Sequence, residues 1–424
     1  MPNMINNLLM LSLVAAAVLL VGFQNCSSPF SAVVPPVGLL QNETIRPATN
    51  DQMTSNSAES APNKATERYF GFFAASLGVH SNLPFVAATD RHVVFIGAGA
   101  NRSFVDPSCQ HEINGLATRL CWLGNKIDDV TRLNKPGVKV ALMIGDLFYD
   151  SDAANRHTPR QSLQRQAQNI SGQADAELER FSSDGYLSQR TIFATMFALH
   201  KFVFENYPAR KAAIQIVYPL DEPYLAVPAY ATSTATAYNL RFGEIRTLAQ
   251  TAKDFFPGAK VLEVFSRTEL LNDILFPNQS PEARGWSMIP AEVDLVAFDC
   301  YTDCSFTTSD MSRNIYRLVD RLRKLKYIAQ KIVLVPDAGL ELSSTVPATS
   351  CDFSWAIPHL EDRKSKLHAY FDLFFTYRNM DIVGLFPFIW QDLPAASGVT
   401  WCGVNHFPDL QNDFHNYNKW VYRN

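Results

Sequence analysis

The feature that most constrains this chain is a series of eight short apolar segments separated by stretches of helical periodicity. Tyr69–Ala75, His92–Gly97, Val138–Asp146, Ile214–Leu220, Ala259–Phe265, Asp294–Asp299, Lys331–Asp337 and Asp381–Trp390 are rich in β-branched and aromatic residues. Consecutive apolar positions suit strands buried on both faces, as in a parallel sheet covered by helices. Between them, Ser188–Glu205, Asn239–Phe256, Ser309–Ile328 and Arg363–Tyr377 repeat apolar residues at helical spacing. In Ser309–Ile328 the face Met311, Ile315, Leu318, Val319, Leu322 and Leu325 opposes Arg313, Arg317, Arg321 and Lys324. The alternation predicts an α/β fold, and eight strands are what a closed (β/α)8 TIM barrel requires. A doubly wound open sheet is the alternative.

In a barrel of parallel strands the site sits at the carboxyl ends, so polar residues there are the candidates. The fourth segment reads Ile214-Gln215-Ile216-Val217-Tyr218-Pro219-Leu220-Asp221-Glu222-Pro223-Tyr224, a buried strand stopping on two carboxylates and a proline. If the strands close in order, this pair joins His80 and Asn82 after the first strand and Asp146 and Tyr149 after the third. Asp299, Tyr301 and Asp303 follow the sixth, Asp337 and Glu341 the seventh, and Trp390 and Asp392 the eighth. A mouth rich in carboxylates and aromatic rings suits glycoside hydrolysis, which needs one carboxyl to protonate the leaving oxygen and a second as nucleophile or base. The competing reading of Asp221 and Glu222 is a pair of ordinary turn acids. Glu263, inside the fifth strand, is expected to point into the barrel beside a basic group. Trp286, Trp355 and Trp401 serve equally well as sugar platforms or packing residues.

Other chemistries lack their signatures. The formal net charge is −4 and charged residues make up 18% of the chain, without the basic excess of a nucleic-acid binder. Gly97-Ala98-Gly99-Ala100-Asn101-Arg102 lacks the third glycine of a dinucleotide fingerprint, and no P-loop or Gly-x-Ser-x-Gly elbow is present. No Cys-x-x-Cys or His-x-His pairing suggests a metal, and no cofactor is expected.

Leu8–Phe23 is an apolar run ending near Cys26. It is shorter than the about 20 residues of a membrane span and suits a signal-peptide core. The run resembles a bacterial lipoprotein signal in which Cys26 is lipidated after cleavage, giving an exported protein anchored in the cell envelope or outer membrane. It departs from that pattern in having no Lys or Arg before the run and Phe23-Gln24-Asn25 before the cysteine. A retained anchor and secretion are the alternatives. The expected plan is a signal segment over 1–26, a polar linker over 27–66 and one barrel over 67–424. The six other cysteines are an even set, as export and disulfides require. Six cysteines allow 15 connectivities and the sequence alone does not choose; the set expected from their places on barrel loops is Cys109–Cys121, Cys300–Cys304 and Cys351–Cys402, pinning extended loops at the rim.

On Asp221-Glu222 and on Trp390 in Phe388-Ile389-Trp390-Gln391, the chain resembles the large clan of (β/α)8 glycoside hydrolases. The resemblance implies Glu222 as general acid/base, a nucleophile after strand seven, and Trp390 as a floor for the sugar. Strand seven departs from the pattern, with Asp337 in place of the expected Glu and Glu341 four residues on. The expectation is Asp337 as nucleophile or second base with Glu341 in reserve, and Asp221, Asp146, His80, Asp299, Tyr301 and Trp390 contacting a carbohydrate. The alternative is a cell-surface sugar-binding barrel without catalysis.

Overall fold

The computed structural model describes residues 67–73, 84–97, 109, 116–151, 157–159, 187–224, 234–271, 289–300, 304–338, 340–342, 353–377, 381–388, 393–394, 400–404 and 407–423. The barrel strands are β1 (Tyr69–Phe72), β2 (Arg91–Gly97), β3 (Gly137–Met143), β4 (Ile214–Tyr218), β5 (Lys260–Ser266), β6 (Leu295–Asp299), β7 (Lys331–Leu334) and β8 (Ile382–Leu385). All pair in parallel with their neighbours in chain order, and β8 closes on β1 through Tyr69 opposite Gly384. The (β/α)8 expectation holds, and the open-sheet alternative does not.

Closure follows from side-chain alternation. In β5, Leu262 and Val264 face the lumen while Val261 and Phe265 face the helices; in β6, Leu295 and Ala297 face in while Val296 and Phe298 face out. Aromatic rings fill the lumen, with Phe73 5.3 Å from Phe95 and 5.5 Å from Tyr218, and Phe95 4.9 Å from Phe386. The same alternation corrects the expectation for Glu263. It shares the outward parity of Val261 and Phe265, so its carboxyl lies between barrel and helices.

The covering helices are α1 (Leu116–Thr131), α2 (Gln189–Leu199, continuing as a π turn over His200–Phe204), α3 (Thr234–Phe255), α4 (Ile315–Leu325), α5 (Phe353–Tyr377) and α6 (Pro408–Tyr422). Helix α4 is shorter than its periodicity suggests because Asn314 caps it, its side chain accepting from the Arg317 N–H. The amide of Asn314 also donates to the Thr308 carbonyl at 2.9 Å, folding the preceding segment into turns, so Met311 is 55% exposed instead of packed. Helix α3 begins at Thr234, five residues before the helical periodicity that starts at Asn239. Helix α5 begins ten residues before its expected start at Arg363, in a segment where Pro358 masks the helical signal.

Two disulfides stand as expected, Cys109–Cys121 and Cys300–Cys304. Cys402 is also disulfide-bonded, and Cys351 lies outside the described residues. The segments following β7 and β8 meet in a small antiparallel sheet, Leu340–Leu342 and Leu393–Pro394 flanking Thr400–Cys402. Among the described residues no helix is long and apolar enough to cross a membrane, and 1–66, with Cys26, lies outside them.

Candidate active site

The carboxyl ends of β4, β5 and β6 converge on one acidic cluster. Val217 of β4 faces Val261 of β5, and Asp221 faces Val264, so four steps along one strand match three along the other. The extra residue is a bulge, a device that re-aims side chains beside active sites. It leaves the Glu222 N–H donating to the Val264 carbonyl at 3.0 Å and Glu222 itself at φ 43°, a left-handed conformation unusual for a residue with a side chain. Gly145 is needed next to this bulge, since a β-carbon there would stand 2.9 Å from the Pro219 carbonyl oxygen.

Asp221 accepts a hydrogen bond from the hydroxyl of Tyr218, whose ring faces the lumen. Burial pushes the Asp221 carboxyl up to about 6, against the lowering effect of the Tyr218 hydroxyl and the Glu222 backbone. Glu222 is partly exposed, and its carboxyl is raised well above the ordinary range, first by desolvation, then by Asp299, Asp221 and Glu269. Asp299 ends β6 with the inward parity of Leu295 and Ala297 and is 4% exposed. Two adjacent carboxyls and a third facing them thus have environments that favour retention of a proton on Glu222.

Glu269 holds this arrangement from behind. Ser266 and Glu269 form a capping box: the Ser266 hydroxyl accepts from the Glu269 N–H at 3.2 Å, and one Glu269 oxygen accepts from the Ser266 N–H at 2.5 Å. The other oxygen accepts from the N–H of Tyr224 at 2.5 Å, tying the segment after β4 to the end of β5. Behind it, Arg241 and Glu244 of α3 form a buried ion pair at 3.3 Å. Burial raises Glu244 to about 7 even so, with Arg241 opposing.

Glu263 is fully buried, and among the described residues neither of its carboxyl oxygens has a hydrogen-bond partner. Desolvation raises it well above the ordinary range, with Glu269 and Asp221 adding and Arg241 opposing. An unfolded Glu titrates at about 4.3, so above that pH the folded chain binds the extra proton and stability falls as pH rises through the folded pKa. Glu263→Met removes an unpartnered buried acid. It is expected to raise stability by roughly 1–3 kcal/mol at pH 8, with the gain shrinking toward pH 4.5. Urea midpoints across that range check it; an unchanged slope against pH would assign the titration to other groups.

The remaining expected residues are dispersed. The Asp337 carboxylate is fully buried, ion-paired to Arg363 and 3.7 Å from the ammonium of Lys366, both on α5. Arg363 also donates to the Asp337 carbonyl at 3.3 Å. Asp146 lies in the turn Gly145–Phe148, where its charge acts on the buried Lys126 of α1. Glu341 sits opposite Trp401 in the rim sheet, and its side chain is outside the described residues. His80, Tyr301 and Trp390 lie outside them altogether, as do Asn82, Asp303 and Asp392. Among the described residues no group of three or more His, Cys, Asp or Glu side chains is placed to hold a metal ion. Periodicity did not reveal Glu269, but the Ser266-Arg267-Thr268-Glu269 spacing is a legible capping box.

No protein-family model and no curated protein sequence matches the chain. Among solved structures the fold is similar to a β-glucosidase from Thermotoga maritima in complex with galacto-hydroximolactam, with 11% identity and a TM-score of 0.47 over 81% of this chain and 86% of that one. It is also similar to the exo-β-1,4-mannosidase Op5Man5 from Opitutaceae bacterium strain TAV5, with 13% identity and a TM-score of 0.44 over 82% of this chain and 55% of that one. These are likenesses of barrel shape, and no residue role is taken from them.

Proposed function

We propose that the chain is an exported glycoside hydrolase, anchored through Cys26, that cleaves a poly- or oligosaccharide by two-carboxylate acid/base catalysis. The observation that carries this reading is Glu222, partly exposed at a bulged strand end, with other carboxyls raising its pKa. A carboxyl whose pKa is raised holds its proton more firmly than an ordinary one and can give it to a glycosidic oxygen as the bond breaks. Asp299 is the second carboxylate in this reading: its inward strand parity and its charge, the strongest of those acting on Glu222, both favour it over Asp337. Asp337, expected as nucleophile, instead serves as the counter-ion of Arg363 and Lys366. Asp221 and Tyr218 contribute hydrogen-bonding groups to the sugar-facing wall.

The test is release of sugar from a panel of polysaccharides and aryl glycosides by the full chain, beside Glu222→Gln and Asp299→Asn. Asp299→Asn is expected to abolish turnover across the panel and Glu222→Gln to abolish it on the polysaccharides, whose leaving groups need the proton, and the anomer formed reports retention or inversion. A second reading, a sugar-binding barrel without catalysis, draws on the burial of Asp337 in its ion pair. Binding of a glycan with no turnover on the panel would establish it instead.

Glu269 supplies a further expected outcome. Glutamine at 269 has one acceptor for the two N–H donors of Ser266 and Tyr224 and removes a negative charge that raises Glu222. In Glu269→Gln the alkaline limb of kcat/KM is expected to move to lower pH, because one of the charges that raise Glu222 is gone. A pH–rate profile checks this, since loss of structure alone lowers the rate without moving the limb.

A further inference from the structure

At the opposite end of the barrel lies a cavity of about 330 Å³, walled by the turn before β2 and the last turns of α6. Arg91 opens β2, while His415, Lys419 and Arg423 follow one another at four-residue spacing along α6 and its C-cap. All four line the same space. In a chain of net charge −4 this is a local positive excess, with Asp90 the only acid in the wall among the described residues.

None of Arg91, Lys419 and Arg423 forms an ion pair among the described residues. The Arg91 guanidinium stands 5.5 Å from the centroid of the Tyr422 ring, and the Tyr422 hydroxyl accepts from the Phe70 N–H at 2.9 Å. The Asn418 amide donates to the Arg91 carbonyl at 2.7 Å, which fixes the backbone that carries the guanidinium. His415 is stacked on Phe85 at 4.0 Å, and burial and Lys419 lower its pKa. Positive charge at a helix C-terminus complements the dipole and accounts for Lys419 and Arg423. It does not account for Arg91, which comes from a strand and adds like charge to the same space.

We infer that this cavity binds the phosphate group of a small phosphate-bearing ligand, with Arg91, Lys419 and Arg423 supplying the charge. The bidentate fork of Arg91 and the mobile ammonium of Lys419 suit a compact oxyanion, and the volume admits a phosphate with a small substituent. Arg68 donates to the Val421 carbonyl at 3.3 Å on the same helix end, so the segment entering β1 lies beside this cavity. The phosphate therefore belongs either to a lipid headgroup or to a soluble ester.

Calorimetric titration of the full chain with inorganic phosphate at low ionic strength tests the site. Saturable binding is expected, weakened about tenfold or more by Arg91→Ala and by the double variant Lys419→Ala/Arg423→Ala. Asp90→Asn is expected to tighten it by roughly threefold, because a like charge leaves the wall. Unchanged melting temperatures without phosphate confirm that the variants fold. Capture by phosphatidylglycerol but not phosphatidylcholine vesicles, with the same dependence on the variants, assigns a headgroup; phosphate binding without capture assigns a soluble ester. Absence of saturable binding, or binding indifferent to all three cation replacements, overturns the inference.

Discussion

Replacing Glu222 by glutamine is expected to lower kcat/KM by roughly 10²- to 10⁴-fold on substrates with a poor leaving group, the range for loss of a positioned general acid. The fall arises at the proton, because glutamine nearly preserves the shape of the side chain and its left-handed backbone at φ 43°. The loss must therefore depend on the leaving group. A nitrophenolate departs with little protonation, so aryl glycosides with acidic phenols lose far less than alkyl glycosides or oligosaccharides. The pH profile carries the same signature. Desolvation and the charges of Asp299, Asp221 and Glu269 hold the Glu222 proton above the ordinary carboxyl range, so the parent's alkaline limb lies above that range and disappears in Glu222→Gln. Equal loss for good and poor leaving groups would show that Glu222 acts in binding, and the acid would have to be sought elsewhere in the cluster.

What was legible in the sequence was set by periodicity. All eight strands could be read because strands buried on both faces are predominantly apolar, with few polar interruptions such as Glu263, and the pairs Asp221-Glu222 and Phe298-Asp299 ended two of them visibly. The facing direction of Glu263 is not legible locally, because parity within a strand is relative. Only the lumen positions of Leu262 and Val264 set which face is inside. Asp337 illustrates a different limit. Its place three residues past β7 suggested a cleft, yet Arg363 and Lys366, over twenty residues away, take its carboxylate, and no local pattern announces a long-range ion pair. The bulge after β4 was likewise hidden, because it appears only when Val217 and Asp221 are matched against β5.

That ion pair leads to the largest expected effect on stability. Asp337 is fully buried, and the side chains of Arg363 and Lys366 are each 12% exposed, so removing the acid leaves two cations in a poorly solvated site. The two respond differently. Burial already lowers Lys366 to about 8, with Asp337 opposing, and without that carboxylate the amine sheds its proton more readily. Arg363 is left with its guanidinium in the same poorly solvated site and without that counter-ion. Asp337→Ala is therefore expected to destabilise the barrel by about 3–5 kcal/mol, the usual consequence of breaking one side of a buried pair. Asp337→Leu combined with Arg363→Met should restore most of the loss, since an apolar replacement of both partners removes the stranded charge. Chemical denaturation of the single and double variants measures the cycle. The conservative Asp337→Asn separates stability from chemistry: it should lower the denaturation midpoint yet keep kcat within a few-fold per folded molecule, because Asp299, not Asp337, is assigned to face Glu222. A loss of orders of magnitude in kcat for the folded Asn variant would return the nucleophile's role to Asp337 and require its ion pair with Arg363 to open when the sugar binds.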